Sequence, residues 1–454
     1  MNIELEPPIS DVGKGLVASG DEEGRLHELG YSQELRREFS LLTLGSLCLS
    51  LMSSWEALSV ALAPAIITGG APSVACSLAE IASVYPTAGG QYHWVAILSP
   101  RPIRSFASWF TGWISIGGQA VFTASAAFAS GLQMQGYIVL NNKDYIPERY
   151  QAMLLVWLTL VYAIVINIWG HQLQPKANLL AAALHIAAWV AVIIVLAVMA
   201  PKNDARYDST CHLAEEIPKP SRNVPLAMVG SCVLNGIMGL GYVILLLYST
   251  GPLKDLLATP TGFPFMEIYL HATRSPIGAT MMCLSFTIIA VVATGAATAS
   301  TSRTLWAFAR DGATPLHHQI SKVDNATQVP VLAILIVVTL QALLGFIYLG
   351  NTTAYNAILA MAAIGMYLSY LLPIACMLSY RLRKTHAVTD GEFRLGQPFG
   401  VCLNVVSISW LTVAIIFSAF PSELPVTPQN ANYSSAVMIG WILFGAVYYF
   451  GWGL

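Results

Sequence analysis

The chain has 454 residues, of which 56% have apolar side chains and only 10% are charged, so its composition is typical of a membrane protein rather than a soluble one. The 22 Lys and Arg residues nearly balance the 24 Asp and Glu residues, and a net charge of −2 provides no basic surface for nucleic acid. Seven scattered cysteines without a C-x-x-C pair predict neither a disulfide framework nor a zinc site.

The chain begins with a polar segment of mixed charge that lacks the apolar core of a signal peptide. We predict that residues 1–38 are a disordered cytoplasmic tail and that residues 39–454 form one transmembrane permease domain. Ten stretches in this domain approach or exceed the roughly 20 apolar residues that a membrane-crossing helix needs. They are residues 39–67, 106–140, 153–170, 177–200, 225–250, 277–300, 330–350, 354–380, 402–420 and 435–454. The sequence therefore predicts an all-α polytopic membrane protein with no room for a soluble catalytic domain.

The distribution of Lys and Arg indicates the orientation of the chain, because cytoplasmic loops of membrane proteins are enriched in these residues. Residues 381–394 contain four of them, whereas residues 351–353 and 421–434 contain none. We therefore expect the N-terminus and the 381–401 loop to be cytoplasmic.

Glu56 is the only acidic or basic residue inside any of the ten stretches. An ionisable side chain near the middle of a bilayer costs at least about 2.5 kcal/mol, so such residues usually have a function. Glu56 follows Ser53, Ser54 and Trp55 in a stretch that would be about 44 Å long as one helix, which favours a break near its middle. We predict a substrate site there, in which Glu56 attracts an ammonium group and Trp55 provides a cation–π face. The alternative is a protonated Glu56 that is hydrogen-bonded to a neighbouring helix.

Three motifs outside these stretches carry more specific information. The first is SLAEIASVYPTAGGQYHW at residues 77–94, whose Pro and Gly residues predict a sharp turn. The second is AEEIPKPSRNVP at residues 214–225, and the third is SRTLWAFARDG at residues 302–312. Together these motifs resemble those of the amino acid/polyamine/organocation (APC) permeases, in particular the fungal GABA and choline permease branch.

The resemblance implies a LeuT-like inverted-repeat bundle of twelve helices, in which the first and sixth helices are broken at the substrate site. It also implies that the first motif contains a cytoplasmic gate loop, although an ordinary tight turn explains the same residues equally well. The characteristic residues of this loop are Tyr85, Pro86, Gly89, Gly90 and Tyr92. By the same comparison, the third motif is a short cytoplasmic helix between the eighth and ninth spans, whose Trp and Arg side chains suit the membrane interface.

The chain departs from the family pattern at two places. Only a 16-residue remnant, residues 69–84, stands where the family has its second helix. The sixth helix is reduced to a short piece at residues 208–213, in which Asp208 would lie opposite Glu56. With ten clear spans of an expected twelve, we expect this chain to transport poorly or not at all.

These observations together predict a secondary active permease for an amino acid or a related small amine such as GABA or choline, in the plasma or vacuolar membrane. We expect no cofactor, no nucleic-acid partner and no enzyme activity, and we expect transport through the lipid bilayer to be coupled to protons. A non-transporting truncated isoform, or a degenerate copy of such a permease, is the first alternative. A membrane-embedded enzyme is the second, but it would need paired His and acidic residues at a membrane face, which the sequence does not show.

Overall fold

The computed structural model describes residues 40–52, 71–142, 144–199, 220–247, 249, 259–383, 393–421, 426–427 and 431–452. Within these ranges the chain is mostly helical and contains no strand. The helices in chain order are α1 (Leu41–Met52), α2 (Ala71–Val84), α3 (Gln91–Leu98), α4 (Arg104–Asn141), α5 (Arg149–Ile168), α6 (Gln174–Met199), α7 (Pro220–Leu247), α8 (Pro264–Thr273), α9 (Pro276–Arg310), α10 (His317–Ile320), α11 (Val331–Gly350), α12 (Thr352–Leu382), α13 (Gln397–Ser418) and α14 (Ser434–Trp452).

Each of the ten predicted spans coincides with a helix, although the first can be compared only as far as Met52. By length and apolar composition, seven of the described helices are able to cross a membrane: α5, α6, α9, α11, α12, α13 and α14. Helix α4 is longer still, at 38 residues, but its buried side carries many polar residues. The helices and their composition confirm the prediction of an all-α polytopic membrane protein.

Local sequence signals explain where two of these helices begin. Asn351 is the N-cap of α12, and its side-chain oxygen accepts hydrogen bonds from the backbone N–H groups of Thr353 (2.9 Å) and Ala354 (3.2 Å). Glu148 and Gln151 form a capping box at the start of α5. Because α11 ends at Gly350 and α12 begins at Thr352, Asn351 alone connects these two helices.

Helix α4 is central to the packing of the bundle, since it contacts α5, α9 and α12. Small residues allow two of these close approaches. A Cβ atom at Gly118 would lie 3.1 Å from the backbone of Gly365 in α12, and Gly112 lies directly against the Phe308 ring of α9. Neither position has room for a larger side chain unless the neighbouring helix moves.

The connecting segments meet at two ends of the bundle. At one end, α3 contacts the residues that follow α9, and α2 contacts the end of α12 and the segment that precedes α13. We call this the inner end, because it includes part of the 381–401 loop that is predicted to be cytoplasmic. At the opposite, outer end, Asn141 of α4 donates a 2.7 Å hydrogen bond to the Thr280 hydroxyl of α9.

The structure corrects the prediction of a separate interfacial helix in the third motif. Residues 302–310 are instead the last turns of α9, which continues without a break from Pro276 to Arg310. Trp306 and Phe308 are buried in one cluster with residues of α4 and α11, and Arg303 is only 3% exposed. Because neighbouring helices cover these side chains, the segment extends the core and does not face lipid headgroups.

Candidate functional site

The gate loop, residues 85–92, connects the end of α2 to the first turn of α3 and is buried along its whole length. Trp94 holds the start of the loop, since its indole N–H donates a 2.8 Å hydrogen bond to the carbonyl oxygen of Tyr85. Pro86 follows within the buried turn. Ordinary tight turns lie on the surface, so this one is unusual in being buried, and its role as a gate stays a prediction.

Two glycines allow the gate loop to turn closely against its own aromatic side chain. Gly90 has a φ of 52°, in the left-handed region that favours glycine. A Cβ atom at Gly89 would lie only 2.9 Å from the Tyr92 ring. Larger residues at these two positions would therefore strain the backbone or displace Tyr92.

Tyr92 fastens the gate loop to the inner end of α9. Its hydroxyl donates a 2.9 Å hydrogen bond to the Asp311 carboxylate, and its ring packs edge-on against Phe308 with the centroids 5.2 Å apart. Trp109 of α4 adds a 3.3 Å hydrogen bond from its indole N–H to the Ala313 carbonyl. The gate loop cannot move away from α9 without breaking the bond to Asp311.

Two basic side chains lie beside the gate loop, outside the membrane-spanning helices or at their ends. The Arg310 guanidinium stacks on the Trp306 ring, 4.6 Å from its centroid. His93 in α3 is only 1% exposed, and this burial, together with the positive charge of Arg310, lowers the pKa of His93 to about 3. His93 is therefore neutral at physiological pH.

A column of neutral polar side chains lies between α4 and α9, and we call it the polar column. Its α4 members recur at helical spacing on one side of the helix: Ser115, Gln119, Thr123, Gln133 and Tyr137. On α9, Thr287 and Thr301 contact these residues, and helical spacing places Thr294 and Thr298 on the same side of the helix. The hydroxyl oxygens of Thr123 and Thr301 are 3.1 Å apart, and Thr287 donates a 2.8 Å hydrogen bond to the Gln133 carbonyl. The column thus joins the two longest helices of the bundle through hydrogen bonds.

Thr298 is a member of the polar column whose hydroxyl lacks a hydrogen-bond partner among the described residues. Its side chain is fully buried. A buried hydroxyl without a partner costs free energy, so this group is well suited to bind a small polar ligand. The sequence analysis missed the column, although polar residues at four-residue intervals from Ser115 to Thr123 in an apolar stretch were a visible signal.

Hydroxyl and amide groups limit what the polar column can bind. They donate and accept hydrogen bonds, so they suit the carboxylate or hydroxyl group of a solute. They carry no charge that would compensate an ammonium group. Among the described residues, no three His, Cys, Asp or Glu side chains lie close enough together to hold a metal ion.

All five predicted substrate residues lie outside the described residues: Ser53, Ser54, Trp55, Glu56 and Asp208. The described part of α1 extends to Met52, directly before four of them in sequence, and it packs on α6, α7 and α9. Their role in binding stays a prediction.

Comparison with known proteins agrees with these features. The amino acid permease family matches residues 42–206 and 205–444, which is most of the chain. The choline transporter of Saccharomyces cerevisiae is 28% identical over 97% of this chain and 84% of its own length. Amino-acid permease 2 of Neurospora crassa is 26% identical over 96% of this chain and 88% of its own length.

The alignment with the choline transporter covers 498 positions, more than the 454 residues of this chain, so that relative contains segments with no counterpart here. The similarity nevertheless extends over nearly all of the chain, and it agrees with the apolar helices and with the motifs at the inner end. The chain therefore belongs to the amino acid permease family and is a multi-pass transmembrane transporter.

Proposed function

We propose that this transporter carries a small amine-bearing solute, such as an amino acid, GABA or choline, past the polar column and couples its movement to protons. The observation that carries the proposal is the buried Thr298 hydroxyl, which lacks a partner in the described residues. The similarity to a choline transporter and to an amino-acid permease supports the same class of solute.

The two ends of such a solute need different partners. An ammonium group in the membrane needs a negative charge, and Glu56 is the only carboxylate in the predicted spans. The other end, a carboxylate or a hydroxyl, needs hydrogen-bond donors such as Thr298 and Thr301 of the polar column. Glu56 can also carry a proton, which supports it as the coupling residue.

Uptake by the purified full-length chain in proteoliposomes tests this proposal. We expect slow but saturable uptake of radiolabelled choline, GABA or a neutral amino acid, because the shortened chain is predicted to transport poorly. Uptake should increase when the vesicle interior is alkaline relative to the outside, and a protonophore should remove that increase. Uptake that ignores the pH gradient would contradict proton coupling while leaving the solute class intact.

Two substitutions assign the proposed roles. In a chain with complete second and sixth family helices, Glu56→Gln keeps the shape of the side chain but removes its charge, so uptake should be abolished or greatly weakened. Thr298→Val removes one hydrogen bond to the solute, worth about 1 kcal/mol, so the apparent affinity should fall about fivefold. Thr412→Val, on the exposed side of α13, is the matched control and should leave uptake unchanged. Unchanged kinetics in both Glu56→Gln and Thr298→Val would reject the proposed site.

A further inference from the structure

A buried ion pair connects α2 to the inner end of α12. Arg381 Nη2 donates a hydrogen bond to the Glu80 carboxylate, and the two residues are only 7% and 5% exposed. The same carboxylate accepts a 3.1 Å hydrogen bond from the backbone N–H of Leu395. Phe393 adds a 2.9 Å hydrogen bond from its N–H to the Ser83 hydroxyl of α2. Glu80 therefore joins α2 to the end of α12 and to the segment before α13, both of which are more than 300 residues away in sequence.

The ion pair lies at the inner end of a polar seam between α2 and α13. On the α13 side, the Arg381 guanidinium packs directly against Gly400, where any side chain would overlap it. Farther along α13, the hydroxyl oxygens of Ser407 and Ser77 of α2 are 3.1 Å apart. Asn404 lies between Gly400 and Ser407 in sequence and is 1% exposed. The polar groups thus extend from the inner end into the interior.

Several buried polar atoms of the seam lack hydrogen-bond partners in this conformation. Within the described residues, neither amide atom of Asn404 has a hydrogen-bond partner, and neither does Arg381 Nη1. Buried polar atoms without partners destabilise the arrangement that contains them. Water that entered the seam would satisfy these atoms, which lowers the cost of separating α2 from α13. A permanent structural contact would gain nothing from such groups.

We propose that the Glu80–Arg381 pair is a latch that closes the inner end of the transporter between α2, α12 and α13, and that the seam opens and hydrates when the solute is released. The closed arrangement requires α2, the end of α12 and the 393–395 segment to lie together. The pair holds all three, because both charges are buried and removing one leaves the other uncompensated. This latch is separate from the contact of Tyr92 with Asp311, which joins the gate loop to α9.

Cys376 provides a built-in reporter for opening of the latch. Its thiol lies 3.4 Å from the Ser99 hydroxyl, and it precedes Arg381 by about one and a half turns of α12. It is half-buried against a core cluster that includes residues of α2 and α12. Cys283 of α9 is fully buried in a different cluster of core residues. Opening of the latch should expose Cys376 alone, whereas general unfolding should expose both thiols.

The test measures N-ethylmaleimide modification of each cysteine by mass spectrometry in the purified full-length chain. We expect Glu80→Gln and Arg381→Gln to accelerate modification of Cys376 about tenfold, as is typical of a coupling between two conformations, with Cys283 unaffected. Arg383→Gln, at an exposed arginine two residues away, is the matched control and should react like the unaltered chain.

A substitution that should keep the latch closed, rather than open it, tests the proposal even if the charge variants fail to fold. Asn404→Leu keeps the number and branching of the side-chain heavy atoms but removes the groups that water would satisfy, so modification of Cys376 should become slower than in the unaltered chain. The latch is rejected if Cys376 reacts at the same rate in the charge variants and in Asn404→Leu as in the unaltered chain. It is also rejected if Cys376 and Cys283 accelerate together, because the pair would then support only the overall fold.

Discussion

His93 shows how burial at the inner end changes the chemistry of a single side chain. The residue lies in α3 beside the gate loop, and its imidazole is enclosed close to the positive Arg310. Both factors disfavour the protonated form and lower the pKa of His93 to about 3. A histidine in the gate region is therefore not automatically a proton carrier, and this one stays neutral while the chain is folded.

Stability at acidic pH should depend on His93. Between about pH 6.5, the usual histidine pKa, and about pH 3, the unfolded chain protonates His93 and the folded chain does not. The folded state therefore loses up to about 1.4 kcal/mol of stability for each pH unit below 6.5. We expect the Tm in detergent to fall less between about pH 7.5 and about pH 5 in His93→Gln than in the unaltered chain.

A second histidine serves as the control for this measurement. His318 is exposed, so His318→Gln should retain the pH dependence of the unaltered chain. Equal changes of Tm with pH in His93→Gln and in the unaltered chain would show that folding does not prevent protonation of His93.

At the scale of the helix, the sequence predicts which segments are helical better than it predicts what they contact. The ten spans were predictable because a run of apolar residues identifies a membrane helix by itself. The Glu80–Arg381 pair was not predictable, because its members are 301 residues apart and each looks like an ordinary helix-end charge in its own segment. Pairing across the bundle depends on the fold, which no single helix encodes.

The sequence analysis misjudged the third motif and missed the polar column for related reasons. Aromatic and basic residues such as Trp306 and Arg303 are typical of an interfacial helix, but the buried end of a long helix can have the same composition. The column was partly visible, since Ser115, Gln119 and Thr123 share one face of α4. Only the structure shows that Thr301 of α9 faces them.

The close approach of α4 to α12 gives a prediction about helix packing. A Cβ atom at Gly118 would lie 3.1 Å from the backbone of Gly365, so Gly118→Val should force the helices apart and cost about 2 kcal/mol. Thermal unfolding in detergent would detect this as a clearly lower Tm. Gly236→Val in α7 is the matched control, because nothing lies within 4 Å of a Cβ atom there. Similar Tm values for both variants would mean that the Gly118 crossing is not tightly packed.

At the scale of the whole molecule, two contacts join elements at the inner end. Tyr92 joins the gate loop to Asp311 after α9, and Glu80 joins α2 to Arg381 of α12. Both contacts involve the α2–α3 segment, which is why the proposed latch and the predicted gate would act through the same part of the chain. The described part of α2 has 14 residues, which correspond to about 21 Å along its axis.

The predicted shortening of the family's second and sixth helices, at residues 69–84 and 208–213, leads to a prediction about the rate of transport. A substrate site between two broken helices needs backbone groups from both, and irregular backbone in a membrane needs cover from neighbouring protein. We expect this chain to take up solute at least about tenfold more slowly than a chimera that contains the missing segments.

The chimera would carry the corresponding segments of the Saccharomyces choline transporter after Gly70 and after Pro201, because that relative has segments that this chain lacks. Uptake per molecule in proteoliposomes, with both proteins reconstituted at equal density, measures the difference. Equal and saturable uptake by the two proteins would show that the shortened chain already forms a complete transport site.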